Sequence, residues 1–182
     1  MIWIIVAVIV VLLIIYLIST YNTFVRLRNS VREAFSTMDV YLKKRWDMIP
    51  NIVNTVKGFA KHEKETLEGV IKLRNGAYDS MSPEEKIATN QELSRGITKI
   101  MALAEAYPDL KANTNFMDLS NQLAKVEDDI SNSRKYYNAV VRRYNDKIEM
   151  FPSNLVASIF GFKLEKMFEI VEEERENVKV EF

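Results

Sequence analysis

The residues that could do chemistry in this sequence are few, and its single histidine is the first of them. His62 precedes Glu63, and an imidazole beside a carboxylate can act in general acid–base catalysis once a substrate and a partner are positioned. A di-iron site in a helical bundle needs a glutamate three residues before a histidine, but Phe59 stands there. The chain has no cysteine, which excludes thiolate catalysis, thiolate metal sites and disulfides. We therefore predict no catalytic, metal or cofactor residue.

Glycine spacing and charge exclude further classes. The glycines stand singly at positions 58, 69, 76, 96 and 161, whereas a phosphate-binding loop needs them clustered at fixed spacing. No nucleophile motif of a hydrolase or kinase appears. The 25 basic residues balance the 25 acidic ones, which removes the bulk electrostatic argument for nucleic acid. The sequence predicts a protein that is not an enzyme and does not bind nucleic acid.

Four charged residues fall at or beside the apolar spacing of the predicted helices. A buried ion is costly unless it is paired, and its best-attested use is to fix the register of packed helices. We interpret these residues as paired or partly solvated, with ligand binding as the alternative. They are Arg45, Glu63, Arg74 and Glu105.

The elements that must position these residues begin with an apolar run, MIWIIVAVIVVLLIIYLI, which carries no charged side chain. A helix of that length spans about 26 Å, close to the hydrocarbon core of a bilayer. A secretory signal would need a cationic start, a shorter run and small residues before the cut. We predict a transmembrane anchor over residues 1–20 of a single-pass protein of the cell membrane. Arg26, Arg28 and Arg32 follow it and predict an external N-terminus and a cytoplasmic domain; binding to anionic lipid headgroups is a second use that is compatible with this topology.

Beyond the anchor, apolar residues repeat at helical spacing and strand patterns are missing. The run from Phe116 to Ile148 has the a/d spacing of a bundle or coiled coil. The sequence predicts an all-α protein whose N-terminal transmembrane helix continues into a cytoplasmic antiparallel four-helix bundle over residues 21–151. The predicted helices span about 21–48, 51–78, 83–107 and 114–150.

Short segments with helix-breaking and helix-capping residues separate these predicted helices. Pro50 indicates a hairpin or a kink, and we favour the hairpin because it gives helices of matched length. Ser82-Pro83-Glu84-Glu85 has the composition of a capping box. The stretch YPDLKANTNF predicts a corner, with an interaction site as the alternative. Its candidate contact residues are Tyr107, Pro108, Asp109 and Asn113.

The predicted tail, residues 152–182, is first apolar and then acidic. Its apolar side chains are too many for a solvated end, so they must cover the open end of the bundle, a neighbouring subunit or the membrane surface. The run Glu172-Glu173-Glu174 favours protein over anionic lipid. The candidate contact residues here are Leu155, Ile159, Phe160, Phe162 and Phe168.

Three separated runs carry a family resemblance: YNTFVRLRNSVREAFSTMDVYLKKRWDMIPNIVNTVKGFAKHE, LAEAYPDLKANTNFMDL and YNAVVRRYNDKIEMFPSNLVASIFGF. Over about residues 1–170 the chain resembles the LemA family of bacterial membrane proteins, with Phe35 where tryptophan is common and Tyr41 where a polar residue is usual. The resemblance implies one transmembrane helix, a cytoplasmic up-and-down helical bundle and no catalytic residue to carry over. Members are often encoded near a membrane zinc metalloprotease, and a relative belongs to the magnetosome membrane.

These observations predict a non-enzymatic, membrane-anchored scaffold or adaptor. We expect it to self-associate as a homo-oligomer and to organise membranes or membrane-protein complexes, with the lipid bilayer as its constant partner. The alternative is an accessory subunit of a membrane complex, for which a membrane zinc metalloprotease is the named candidate. An enzyme or cofactor protein is the third reading.

Overall fold

The computed structural model describes residues 1–60, 62–74 and 76–168, and every regular element in these ranges is helical. The predicted all-α class is confirmed for this part of the chain. The acidic end of the predicted tail, from residue 169 onward, lies outside the described residues. The helices are α1 (Ile2–Phe59), α2 (Lys64–Lys72), α3 (Pro83–Glu105), α4 (Pro108–Lys111), α5 (Thr114–Glu149) and α6 (Ser153–Phe160), with a 3₁₀ turn at Tyr78–Ser80.

The N-terminal part of α1 is apolar and exposed. Within the described residues, α1 is the one helix that is long and apolar enough to cross a membrane, and none of its most apolar window is buried. The first buried residue along the chain is Thr20. This confirms the predicted apolar N-terminal helix, which continues without interruption into the folded part of the chain.

The described chain divides into two compact units, and α1 and α5 contribute to both. Unit 1 contains residues 1–36 and 134–168, and the described part of unit 2 contains residues 37–133. Each unit has its own buried apolar residues. In unit 1 they include Phe24, Val31, Ala34, Val141 and Tyr144, and in unit 2 they include Met38, Leu42, Ile49, Leu93 and Ile100.

The hairpin predicted at Pro50 is wrong, because α1 continues through this proline to Phe59. Ile49, Ile52 and Val56 are all buried, so the residues on both sides of Pro50 present apolar groups to the core of unit 2. Proline removes one helical hydrogen bond, and burial of these neighbours outweighs that loss. The first break comes after α1, and the second predicted helix is replaced by the last turns of α1 and by α2.

The course of α1 through Pro50 predicts that Pro50→Ala stabilises the protein. Alanine restores a backbone donor and removes the clash with the carbonyl of Trp46, a gain of about 3 kcal/mol. Greater freedom of the unfolded chain offsets about 1 kcal/mol of it. We expect the free energy of unfolding to rise by about 2 kcal/mol in chemical denaturation of the full chain in detergent. A decrease would indicate a proline-dependent turn, and Asn51→Ala at the exposed neighbouring position is the matched control.

The predicted capping box at the start of α3 is confirmed. Ser82 Oγ accepts a hydrogen bond from the Glu85 backbone N–H at 3.2 Å, and the Glu85 carboxylate accepts one from the Ser82 N–H at 2.7 Å. Bonds from the backbone and side chain of Ser82 favour the ionised carboxylate and lower the pKa of Glu85. Pro83 occupies the first turn of the helix, where its missing N–H costs nothing.

The stretch YPDLKANTNF forms a corner, as predicted. α3 ends at Glu105, and α4 then makes a single turn whose Leu110 is fully buried. Asn113 Oδ1 accepts a hydrogen bond from the Phe116 N–H at 3.0 Å, so its side chain caps the start of α5. The corner therefore has a structural role that local sequence explains.

Candidate functional site

The predicted tail contains the largest group of candidate contact residues, and its described part folds back on unit 1. We call residues 150–168 the C-terminal arm. It consists of a turn at 150–152, helix α6 and an extended segment at 162–168. The chain reverses at Gly161, whose φ of +70° lies in the left-handed region that favours glycine. The Phe162 N–H then donates to the Ala157 carbonyl at 3.0 Å and closes the end of α6.

Aromatic rings attach the arm to α1. The Phe162 ring stacks on Phe24 with centroids 4.7 Å apart, and it lies 5.7 Å from Tyr21. The guanidinium of Arg28 sits 5.4 Å from the centroid of the same ring. Arg28 is therefore half-buried against the arm, whereas Arg26 and Arg32, the other two residues predicted for topology or lipid contact, are exposed.

Two asparagines of α5 hold the extended segment by its backbone. Asn138 Nδ2 donates to the Phe168 carbonyl at 2.8 Å, and Asn138 Oδ1 accepts from the Phe168 N–H at 2.7 Å. Asn145 makes the same pair of bonds with Glu165, at 2.9 Å and 3.0 Å. The two amides supply the hydrogen bonds that a neighbouring strand would supply. We call Asn138 and Asn145 the asparagine clamp.

Sequence reasoning missed the asparagine clamp. The available signal was the spacing, because residues seven apart lie on one face of a helix after about two turns. Both asparagines also adjoin buried positions, Tyr137 and Tyr144. The Tyr137 hydroxyl adds a third contact by donating to the Lys166 carbonyl at 3.1 Å.

The structure divides the candidate contact residues of the arm into two sets. Phe162 and Phe168 are buried against their own chain, where the Arg134 guanidinium lies 4.1 Å from the Phe168 ring centroid. Leu155 and Ile159 are exposed, and Phe160 is half exposed. Phe162 and Phe168 therefore pack on α1 and α5 of unit 1, and a partner for the exposed set stays a prediction.

The candidate residues of the corner belong to unit 2. Tyr107 is half-buried and its hydroxyl donates to the Glu63 carboxylate at 3.4 Å. Pro108 and Asp109 are exposed, and Asn113 is occupied as the cap of α5. An interaction site at this corner stays a prediction.

A buried arginine joins three helices of unit 2. Arg45 of α1 has no exposed surface, and its guanidinium donates to both carboxylate oxygens of Glu127 on α5, at 2.6 Å and 2.8 Å. It also donates to Ser94 Oγ at 2.9 Å, to the Asn90 carbonyl at 2.7 Å and to Asn90 Oδ1, all on α3. The interpretation of Arg45 as a paired structural residue is confirmed. Its three partners were not singled out from sequence, because they lie far from it along the chain.

A second polar cluster of unit 2 surrounds Asp39. Its carboxylate accepts a hydrogen bond from the Tyr78 hydroxyl at 2.7 Å and one from Lys86 Nζ at 2.6 Å. Burial first, and then the Asp39 carboxylate, raise the pKa of the Tyr78 phenol, so the hydroxyl stays protonated and continues to donate. The Tyr78 ring also packs 5.3 Å from Trp46, and the Arg74 guanidinium lies 5.2 Å from the Trp46 ring centroid.

The remaining chemical candidates are spread over the surface of unit 2. His62 is exposed and the adjacent Glu63 is half-buried. Glu105 is exposed and pairs with Lys111 at 2.5 Å. Among residues 1–60, 62–74 and 76–168, no three histidine, aspartate or glutamate side chains converge as metal ligands would. The polar contacts described above instead bind elements of the fold to one another.

Comparison with known proteins agrees with the three quoted runs. A model of the LemA family matches residues 34–182. The chain is 29% identical over 161 residues to Protein LemA of Metamycoplasma hominis, covering 86% of this chain and 72% of that protein. It is 24% identical over 179 residues to Magnetosome protein MamQ 2 of Paramagnetospirillum magneticum, covering 84% of this chain and 66% of that protein. Because the family model extends from α1 to the end of the chain, this protein belongs to the LemA family.

Proposed function

We propose that this protein is a non-enzymatic, single-pass membrane scaffold that self-associates and organises membranes or membrane-protein complexes. The observation that carries the proposal is the double role of α1. Its N-terminal part is an exposed apolar run, and the same helix then supplies buried residues to both folded units. An anchor that continues into the fold, without a linker, suits a protein that presents a surface at a constant place beside the membrane.

The proposed architecture of unit 2 is an antiparallel four-helix bundle formed by α1, α2, α3 and α5. Contacts of Arg45 with α3 and α5 support it, because one side chain bridges three of these helices. Close packing of α2 on α3 adds the fourth, since a Cβ at Gly96 would lie 3.0 Å from Val70 Cγ2. These contacts are typical of helices whose apolar faces meet at a common axis.

Polar groups that join the helices of unit 2 also support a scaffold. Arg45, Asp39 and Tyr78 direct their hydrogen bonds to residues of neighbouring elements. A buried and paired ion such as Arg45 is best attested as a device that fixes helix register. Names of the relatives add a membrane context, since MamQ is called a magnetosome protein.

Particle composition in mild detergent tests the proposal. The full chain is extracted from its own membranes, and native mass spectrometry measures the mass of the detergent-stripped particle. A scaffold that self-associates gives integer multiples of one chain. A second protein in fixed ratio, such as a membrane zinc metalloprotease, would favour the accessory-subunit alternative. Single chains at all concentrations would contradict self-association.

Orientation gives a separate prediction. We propose an external N-terminus and a cytoplasmic domain, because Arg26, Arg28 and Arg32 follow the apolar run closely. A reporter that is active only in the cytoplasm, fused after Phe182, should therefore be active. Replacing the three arginines together with glutamine should shift a measurable fraction of chains to the opposite orientation. Replacement of Lys99, Lys111 and Lys125, which belong to unit 2 and lie far from the anchor along the chain, is the control and should change nothing.

A further inference from the structure

We propose that the C-terminal arm makes a second contact with the bilayer, by inserting one apolar face into the leaflet at which the anchor ends. This face, which we call the outer face, is formed by Met150, Phe151, Leu155, Ile159 and Phe160. The inference rests on the proposed function in one respect, that the anchor predicted over residues 1–20 spans a membrane.

The composition of the arm suits lipid. No charged residue occurs from Met150 to Phe162; Lys147 and Glu149 precede this uncharged run and Lys163 follows it. Phe151 is 79% exposed and Ile159 is 71% exposed, so these large apolar side chains contact little of their own chain. A short helix without charged side chains and with an exposed apolar face fits a segment that lies in the membrane interface.

Contacts within unit 1 place the end of α6 beside the end of the anchor. The Phe160 ring lies 4.8 Å from the ring of Tyr21, which is the first residue after the predicted anchor. Tyrosine at such a position favours the boundary between headgroups and acyl chains. The C-terminal end of α6, at Phe160, therefore lies at the depth where the bilayer surface is expected.

The packing of α5 on α1 places the N-terminal end of the outer face, Met150 and Phe151, deeper in the bilayer than Phe160. Tyr137 packs on Phe35 with centroids 6.0 Å apart, and Tyr144 packs on Phe24 at 6.5 Å. The two helices are therefore antiparallel, and α5 runs toward the anchor. From Tyr144 to Glu149, five residues advance about 8 Å in that direction. The α5–α6 turn thus reaches the last turn of the predicted anchor.

Burial of the anchor agrees with this register. Thr20 is buried, and Leu17 is 37% exposed compared with 57% for Leu13. Other residues of the same chain therefore begin to bury α1 within its apolar run. Met150 and Phe151 follow α5 directly at this level, where lipid is the solvent once the anchor spans the membrane. The bilayer is for this reason the partner that the position of the outer face favours, ahead of a second copy of the chain.

Site-directed spin labelling can measure the depth of the outer face. The natural chain has no cysteine, so Ile159→Cys carries a single nitroxide label. The full chain is placed in phosphatidylcholine nanodiscs, and collision rates with oxygen and with a neutral nickel chelate report the depth of the label. We expect the oxygen-to-nickel ratio at Ile159 to be several-fold higher than at Val40→Cys, which replaces a similarly exposed apolar residue of unit 2. Leu155→Cys, one turn earlier on α6, should agree.

A label at Leu12→Cys separates the possible failures. A water-accessible label at Leu12 would show that the predicted anchor does not span the membrane. That result would overturn both the proposed function and this inference. A deep label at Leu12 with a water-accessible label at Ile159 would overturn the inference alone. A label at Ile159 that is shielded from both reagents and broadened by a second spin would assign the outer face to another copy of the chain, and would also overturn it.

Discussion

Replacement of Arg45 with alanine is expected to lower the free energy of unfolding of the full chain by about 3–5 kcal/mol. The guanidinium is fully buried and joins α1 to α3 and α5. Its removal leaves the Asn90 carbonyl without this donor and opens a cavity between helices. Loss of the ion pair costs Glu127 less free energy, because 37% of its side-chain surface is exposed and water can solvate the carboxylate.

Two further variants separate charge from geometry at this position. Arg45→Lys keeps the positive charge but loses the planar fork that reaches Glu127, Ser94 and Asn90 together, so it should recover less than half of the lost stability. Arg95→Ala is the matched control on the surface, where an exposed pair with Glu92 contributes about 0.5 kcal/mol or less. Chemical denaturation followed by circular dichroism measures all three. An Arg45→Ala loss as small as that of the control would contradict the structural role of the cluster.

Removal of the asparagine clamp should release the extended segment of the C-terminal arm. Asn138→Ala with Asn145→Ala removes four hydrogen bonds to the backbone of residues 165 and 168. At about 0.5–1 kcal/mol each, their loss favours local opening by about 2–4 kcal/mol, or about 30-fold to 1000-fold. Phe162 and Phe168 would then spend more time in solvent, because the clamp holds the backbone between them.

Limited proteolysis measures this local opening of the extended segment. Trypsin cleaves after lysine, and Lys163 and Lys166 both lie in the extended segment. Their cleavage rate should rise with the open population as long as reclosing is faster than cleavage. Asn132→Ala, at an exposed position of α5, is the control and should leave the rate unchanged. An unchanged rate in the double variant would mean that stacking on Phe24 and the contact with Arg134 hold the segment without the clamp.

Local features of this protein could be predicted from its sequence. The capping box at Ser82, the corner that begins at Tyr107 and the apolar N-terminal run are all present in the structure. Each depends on residues that lie within a few positions of one another, so the chemistry of a short segment determines it. The family motifs belong to the same class of information, since they compare linear order alone.

Burial of the arm was decided by tertiary structure. The apolar residues of the arm look alike in sequence, yet Phe162 is buried and Phe151 is 79% exposed. An apolar residue predicts that something covers it, but the covering group depends on which distant segment comes near. For Phe162 that group is Phe24 of α1, which lies far from it along the chain.

The amino-acid sequence by itself determined the helical class, the apolar anchor run and the caps, because backbone preference and apolar spacing act over a few residues. Tertiary structure alone decided that α1 passes through Pro50, that Arg45 joins Glu127, and that Asn138 clamps Phe168. These features depend on free energies of burial and pairing between distant segments, which outweigh a local preference by several kcal/mol once the helices pack. For that reason the local proline signal failed as a predictor of a turn.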